Sequence, residues 1–445
     1  MLWRILFPFI FIYTIIDGMV SNMLYPAKAP YLFKDFLVLI AFFFFAISEP
    51  AGKWVGLFRQ RMGSVAWMGA MLFLILGMGQ IFNPISPGLL LGILGFKVIY
   101  LYWLLAVMAF VYFDSYPKAI SFMRMIYYFA VPVNLFGIAQ YIMGPVLIFM
   151  IYGPTPHVKM DIAAVGDFSY EESFFRVIGT FAASGQYGNF LTINGLFGFA
   201  LIFSPLIKKR EKMIITAAQV LNFSALLAAG SRSSFSFLIL SLVIFFVLCR
   251  KARTSLLSVA LSGVLLFGTF TLLGSKVMSR YESLGHIGMV KERTAGATVK
   301  IFMNLFERYP MGKGLGSAST AATHLSKHDA MTYSLIENYP SKLQAELGVV
   351  GVIAFYMFTV GLLIRWFDVW LKGMDDTVSV VATLFFAYAC TQFLIQGIFF
   401  IFDAPPVSLF IWMFVGMGAR MMDWRYDAAF AAPAPHRHKP RPLFR

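Results

Sequence analysis

A chain of 445 residues that is 59% hydrophobic, 17% aromatic and only 13% charged has too little polar surface to clothe a soluble globular domain, so most of its solvent is lipid. Its two cysteines exclude a disulfide framework and a cysteine-built metal centre. The net charge of +15 points at first to nucleic acid, but it is parcelled into short loops between apolar runs, and that distribution argues against a nucleic-acid partner.

The first apolar run, 3 to 24, carries Arg4 at its start and Asp17 inside it, with no small-residue cleavage site followed by a soluble region, and it reads as a retained helix. Runs follow at 33 to 50, 65 to 82, 88 to 113 with Lys97 inside, 125 to 143, 183 to 205, 213 to 230, 233 to 249, 254 to 274, 346 to 364, 379 to 401 and 405 to 422. Each is long enough for a hydrocarbon core of about 30 Å at about 1.5 Å per residue. The expected fold is an all-α polytopic membrane protein of about twelve transmembrane helices. With the N-terminus inside, Lys53/Arg59/Arg61, Lys118/Arg124, Lys208 to Lys212, Arg250/Lys251/Arg253 and Arg365/Lys372 all fall in cytoplasmic loops, while the opposite short loops hold little positive charge. Both termini are therefore expected in the cytoplasm and the chain in a bacterial inner membrane.

Two outward segments, 144 to 182 and 275 to 345, are longer than a connection needs, and long loops on a rigid scaffold tend to carry function. The expected organisation is helices one to nine over 1 to 274, a large periplasmic loop over 275 to 345, helices ten to twelve over 346 to 426, and a disordered basic tail over 427 to 445 that touches anionic lipid. There is no repeat of fixed period, and no inverted pair of broken helices of the kind transporters use.

Few residues in this apolar background carry chemistry. Arg232, in Gly230-Ser-Arg-Ser-Ser, stands near the outer surface between two runs, either snorkelling to the interface or facing an anionic ligand among Ser231, Ser233 and Ser234. Arg176, in Arg176-Val-Ile-Gly-Thr-Phe, has the same two readings, and Lys97 is costly to leave unpaired inside a span. The large loop contributes Arg280, Arg293 and Pro310-Met-Gly-Lys-Gly-Leu-Gly, whose glycines allow positive φ or close backbone approach but match no nucleotide-binding spacing. His324 and His328 lack a third ligand in register for zinc, and Glu337 and Glu346 flank the tenth span.

Taken in order, the stretches at 176 to 181, 230 to 234 and 310 to 316, with Glu337-Asn338 followed by Gly348-Val-Val-Gly351, resemble the O-antigen polymerase and O-antigen ligase superfamily. The resemblance implies an inner-membrane glycosyltransferase that joins undecaprenyl-diphosphate-linked oligosaccharide units of O-antigen or exopolysaccharide, with no metal or soluble nucleotide cofactor. Its implied partners are the lipid-linked glycan donor, a glycan acceptor, membrane lipids and other polysaccharide-assembly proteins. The ligases are similar at the last stretch but carry histidine where this chain has Glu337, which favours a polymerase over a ligase; a lipid-linked-sugar flippase or transporter is the remaining alternative. A leaving diphosphate calls for cations and an attacking hydroxyl for a base. Arg176, Arg232, Arg280 and Arg293 are the candidate diphosphate ligands, since arginine forks fit phosphate oxygens. Lys97 joins them, and Glu337 is the candidate base, with Glu346 and His324 as substitutes.

Overall fold

The computed structural model of the chain describes residues 2–25, 29–86, 88–153, 176–248, 298–318, 338–371, 376–395 and 406–431, with single positions at 260, 263, 264 and 268. All regular secondary structure among them is helical. The helices are α1 (Trp3–Met23), α2 (Ala29–Ser48), α3 (Ala51–Met62), α4 (Ser64–Gln80), α5 (Leu89–Tyr100), α6 (Trp103–Tyr112), α7 (Tyr116–Met143), α8 (Pro145–Tyr152), α9 (Ser184–Phe203), α10 (Lys209–Ala228), α11 (Arg232–Leu248), α12 (Thr298–Arg308), α13 (Tyr339–Leu371), α14 (Asp376–Ile395) and α15 (Val407–Ala431). Among the described residues, four helices are long and apolar enough to cross a membrane: Trp3–Met23, Leu89–Tyr112, Tyr116–Met143 and Tyr339–Asp368. A fifth span results if α3 and α4, which meet at a 113° bend, count as one.

Between spanning helices there is little hydrophobic drive, because lipid tails are as apolar as leucine, so close packing depends on small residues. Gly69 on α4 lies against the backbone of Phe358 on α13, and Gly361 on α13 lies against Ala66, which sets α4 and α13 antiparallel along their length. Gly416 on α15 does the same against Ala106 and Ala109 on α6. Rings fill the remaining space: among Phe7, Phe11, Phe113 and Phe122, four contacts are edge to face at centroid distances of 5.2–5.9 Å. A polar knot ties α7, α9 and α10 together. The Asn222 Oδ1 atom accepts from Asn134 at 3.2 Å and Asn194 at 2.8 Å, its Nδ2 donates to the Leu191 carbonyl, and Gln219 donates to the Gly195 carbonyl.

Several elements depart from the expected boundaries. The Lys53/Arg59/Arg61 stretch, expected as a loop, is the helix α3, and the large bend puts it across the end of α4. The break has a cause in Gly63, whose φ of 87° leaves the helical region. The tenth span begins earlier than residue 346: α13 is helical from Tyr339, so the last residues assigned to the large loop belong to a helix. Asn338 makes this possible by accepting the Ser341 amide at 2.8 Å, satisfying one of the first-turn donors. The same loop contains α12, and the segment after Gly144 contains α8. Asp427 to Ala431, expected to be disordered, continue α15. Most of the ninth span, 254 to 274, lies outside the described residues.

Candidate functional site

The glycine stretch forms a tight turn seated on the start of α13. The Lys313 amide donates to the Ala345 carbonyl at 2.7 Å and the Val349 amide to the Pro310 carbonyl at 2.9 Å, while the Gln344 side chain donates to the Tyr309 carbonyl at 3.1 Å. From the other side, the end of α4 holds the turn: Gln80 donates to the Met311 carbonyl at 2.8 Å and Asn83 to the Gly312 carbonyl at 3.3 Å, and the Leu315 amide donates to the Gln80 carbonyl. Two of the stretches that carry the family resemblance thus meet in one backbone-bonded unit.

Glycine is required at two of these positions. Gly348 has φ of 71° and interrupts α13, and a Cβ there would run into the backbone of Pro310 and Met311. Gly316 has φ of 81°, and a Cβ would collide with the Leu91 carbonyl of α5. Each position therefore needs both a left-handed backbone and the absence of a side chain.

Beneath the turn lies a buried polar cluster. Glu346 is fully buried, and its Oε1 accepts the amide of Ala318 at 3.1 Å and that of Gly316. Lys342, one helical turn earlier on α13, is 3% exposed and is its electrostatic partner. Glu346 Oε2, Ser317 Oγ, Ser341 Oγ and Gln344 Oε1 are buried without hydrogen-bond partners among the described residues. Tyr100 and Tyr339, both nearly fully buried, border the same carboxylate. Buried polar atoms without partners are costly, so such a concentration marks either a site that a ligand completes or one that chain segments beyond the described residues complete.

The other two stretches converge on the first turns of α9. In 176 to 181, Gly179 exchanges both backbone bonds with Gln140, at 2.8 and 3.0 Å, Tyr152 donates to the same carbonyl at 2.9 Å, and Thr180 donates to the Ile15 carbonyl at 2.5 Å. Phe181 stacks on Tyr187 with centroids 5.6 Å apart. In 230 to 234, Ser234 donates to Asn189 at 2.8 Å and shares a 2.8 Å bond with Ser231, and Gly188 packs against both serines. Arg176 and Arg232, one in each of these two stretches, are each half-buried.

Lys97 is engaged elsewhere. Its ammonium is 2.6 Å from Asp35 on α2, which also accepts the Tyr102 hydroxyl at 2.7 Å. The neighbouring Lys34 is buried and bonds Asp17 of α1 at 2.5 Å. These pairs went unrecognised in the sequence, although an aspartate and a lysine inside separate spans signal that each has a partner. The burial of Lys342 and Glu346 close enough to act on each other electrostatically was likewise missed; its signal was the four-residue spacing in an apolar context. Glu337, Arg280, Arg293, His324 and His328 lie outside the described residues, with Glu337 immediately before the helix cap Asn338. The chain matches no known family model and no curated protein.

Proposed function

We propose that the protein is a polytopic inner-membrane glycosyltransferase that polymerises undecaprenyl-diphosphate-linked oligosaccharide units at the periplasmic face. The observation that carries this reading is the seating of the 310 to 316 turn on the start of α13, since the two stretches come together through main-chain bonds at the position where the family resemblance sets a reacting centre. In the proposed reaction an acceptor hydroxyl attacks the anomeric carbon of the donor, the bond to the lipid diphosphate breaks, and the hydroxyl proton passes to Glu337. Arg176 and Arg232 are proposed to meet the departing diphosphate together with Arg280 and Arg293. Lys97, already paired with Asp35, is a weaker candidate for that role. The proposed topology has about twelve spans with both termini cytoplasmic.

The reading is tested by incubating purified protein with a polyprenyl-diphosphate oligosaccharide and resolving product chain lengths. Extended chains on the lipid carrier support a polymerase; transfer to a second acceptor without extension identifies a ligase, and movement across vesicles without a new glycosidic bond identifies a transporter. Arg232→Lys keeps the charge but loses the bidentate fork, so donor use is expected to fall about tenfold with expression unchanged. Normal polymerisation by Arg232→Ala assigns that arginine to the interface alone. Reporter fusions after Lys212 and Arg253 are expected to read cytoplasmic and one within residues 315 to 330 periplasmic. A cytoplasmic reading for the last fusion removes the outer-face mechanism.

A further inference from the structure

A cavity of about 690 Å³ lies between α2 on one bank and α4 and α5 on the other, with α3 closing one end and α6 forming its floor. Its lining is almost wholly apolar and rich in rings, including Trp54, Trp67, Trp103 and Trp412. Phe36 and Leu39 of α2 and Ile93 of α5 line it while being 48–56% exposed, so the cavity opens sideways between the banks rather than toward either end of the bundle. Water does not fill an apolar space of this kind, and leaving it empty forfeits dispersion contacts along every wall. Beside α5 and α6, which together are long and apolar enough to cross a membrane, the available filler is a hydrocarbon chain.

Charge at the two ends decides which lipid and which leaflet. At the α5 end the polar groups are Lys97 and Asp35, joined at 2.6 Å, and this neutral pair offers little to a charged head. At the α3 end the situation differs. Trp54, Val55, Phe58 and Met62 put one face of α3 into the cavity, and Arg59, exposed, flanks that face. Arg61 on the other flank bonds Asp423 at 2.6 Å, and Arg4, Arg365 and Arg420 at the same end of the bundle are also bonded to carboxylates. Arg59 and Lys53 are both exposed and form no ion pair among the described residues. A helix that buries an apolar face and shows cations beside it is suited to a membrane interface carrying anionic lipid.

We propose that this cleft binds an anionic phospholipid from the leaflet at which α3 lies, one acyl chain running between α2 and α4 toward the Lys97–Asp35 pair and the phosphate resting on Arg59. The bound chain completes the packing of α2 against α4 and α5, and the head anchors the α3 bend.

The test uses the full-length protein in nanodiscs of phosphatidylcholine containing increasing fractions of phosphatidylglycerol brominated on its acyl chains. Bromine quenches tryptophan on contact, and four of the chain's eight tryptophans line the cleft. The expected result is a saturable quenching component reached at a mole fraction about fivefold lower than with brominated phosphatidylcholine, the preference one well-placed cation confers. Arg59→Gln is expected to erase that preference while leaving quenching by phosphatidylcholine unchanged. Val107→Phe with Leu74→Phe fills the cleft and is expected to abolish the saturable component, with Met71→Phe as a second filling variant and thermal denaturation confirming that each is folded. Quenching that rises in proportion to mole fraction and equally for both lipids overturns the proposal, as does a saturable component that survives both fillings. Stronger displacement by polyprenyl phosphate than by phosphatidylglycerol also overturns it, by giving the cleft to an isoprenoid lipid.

Discussion

Glu337→Gln is expected to slow glycan extension by about 10²- to 10⁴-fold with no loss of folded protein, the loss typical when a general base is removed and shape is kept. The amide preserves most hydrogen bonding at the residue preceding the Asn338 cap but cannot accept the acceptor's proton. If Glu337 serves only the helix terminus, the same change costs no more than about 1 kcal/mol of stability and leaves turnover intact. The two readings therefore separate in one experiment that measures chain extension and thermal stability together. Glu337→His, which installs the ligase-like residue, is expected to retain partial activity because imidazole accepts a proton near neutral pH. Wild-type turnover in the Gln variant shifts the base to Glu346 or His324. For Glu346 that role carries an added requirement: it is fully buried with its Oε1 bound to the Ala318 amide, so the glycine turn has to lift before an acceptor hydroxyl reaches it.

The second large effect concerns Lys342. Replacing it by Met removes the positive charge that acts on the Glu346 carboxylate, which stays buried beside Tyr100 and Tyr339 with less to offset its desolvation. The expected observation is a marked fall in the thermal midpoint of the purified protein. The paired change Lys342→Met with Glu346→Leu removes both charges and is expected to recover much of that stability, since well-packed apolar residues replace a buried pair at little net cost. It does not restore the turn, because Leu cannot accept the Gly316 and Ala318 amides, so any activity stays low while stability returns. If both single and double variants melt at the wild-type temperature, the Lys342–Glu346 pair does not hold the turn on α13.

Membrane class is a local property, and so it was open to reading from the chain alone. An apolar run is apolar whatever it packs against, which is why Trp3 to Met23 and the segments near 88 to 113 and 183 to 205 agree with α1, α5 with α6, and α9 to within a few residues. The special glycines of 310 to 316 were also legible: Gly312, Gly314 and Gly316 all take positive φ. What they were for was not. The turn they build is held by Gln80, which bonds Met311 across a sequence separation of 231 residues, and no local pattern links those two positions. The ion pairs follow the same division. Composition shows that Asp17 and Lys97 need partners, because an unpaired charge among spanning helices is costly. Only packing chose Lys34 for the first and Asp35 for the second, by setting α2 between α1 and α5. The start of α13 was hidden for a different reason. Residues 339 to 345 mix Lys342 and Gln344 into a helix whose polar side chains are buried rather than solvated, so hydropathy assigned them to a loop, whereas tertiary contacts with the glycine turn and α4 satisfy enough of their hydrogen bonds to keep them helical and inside.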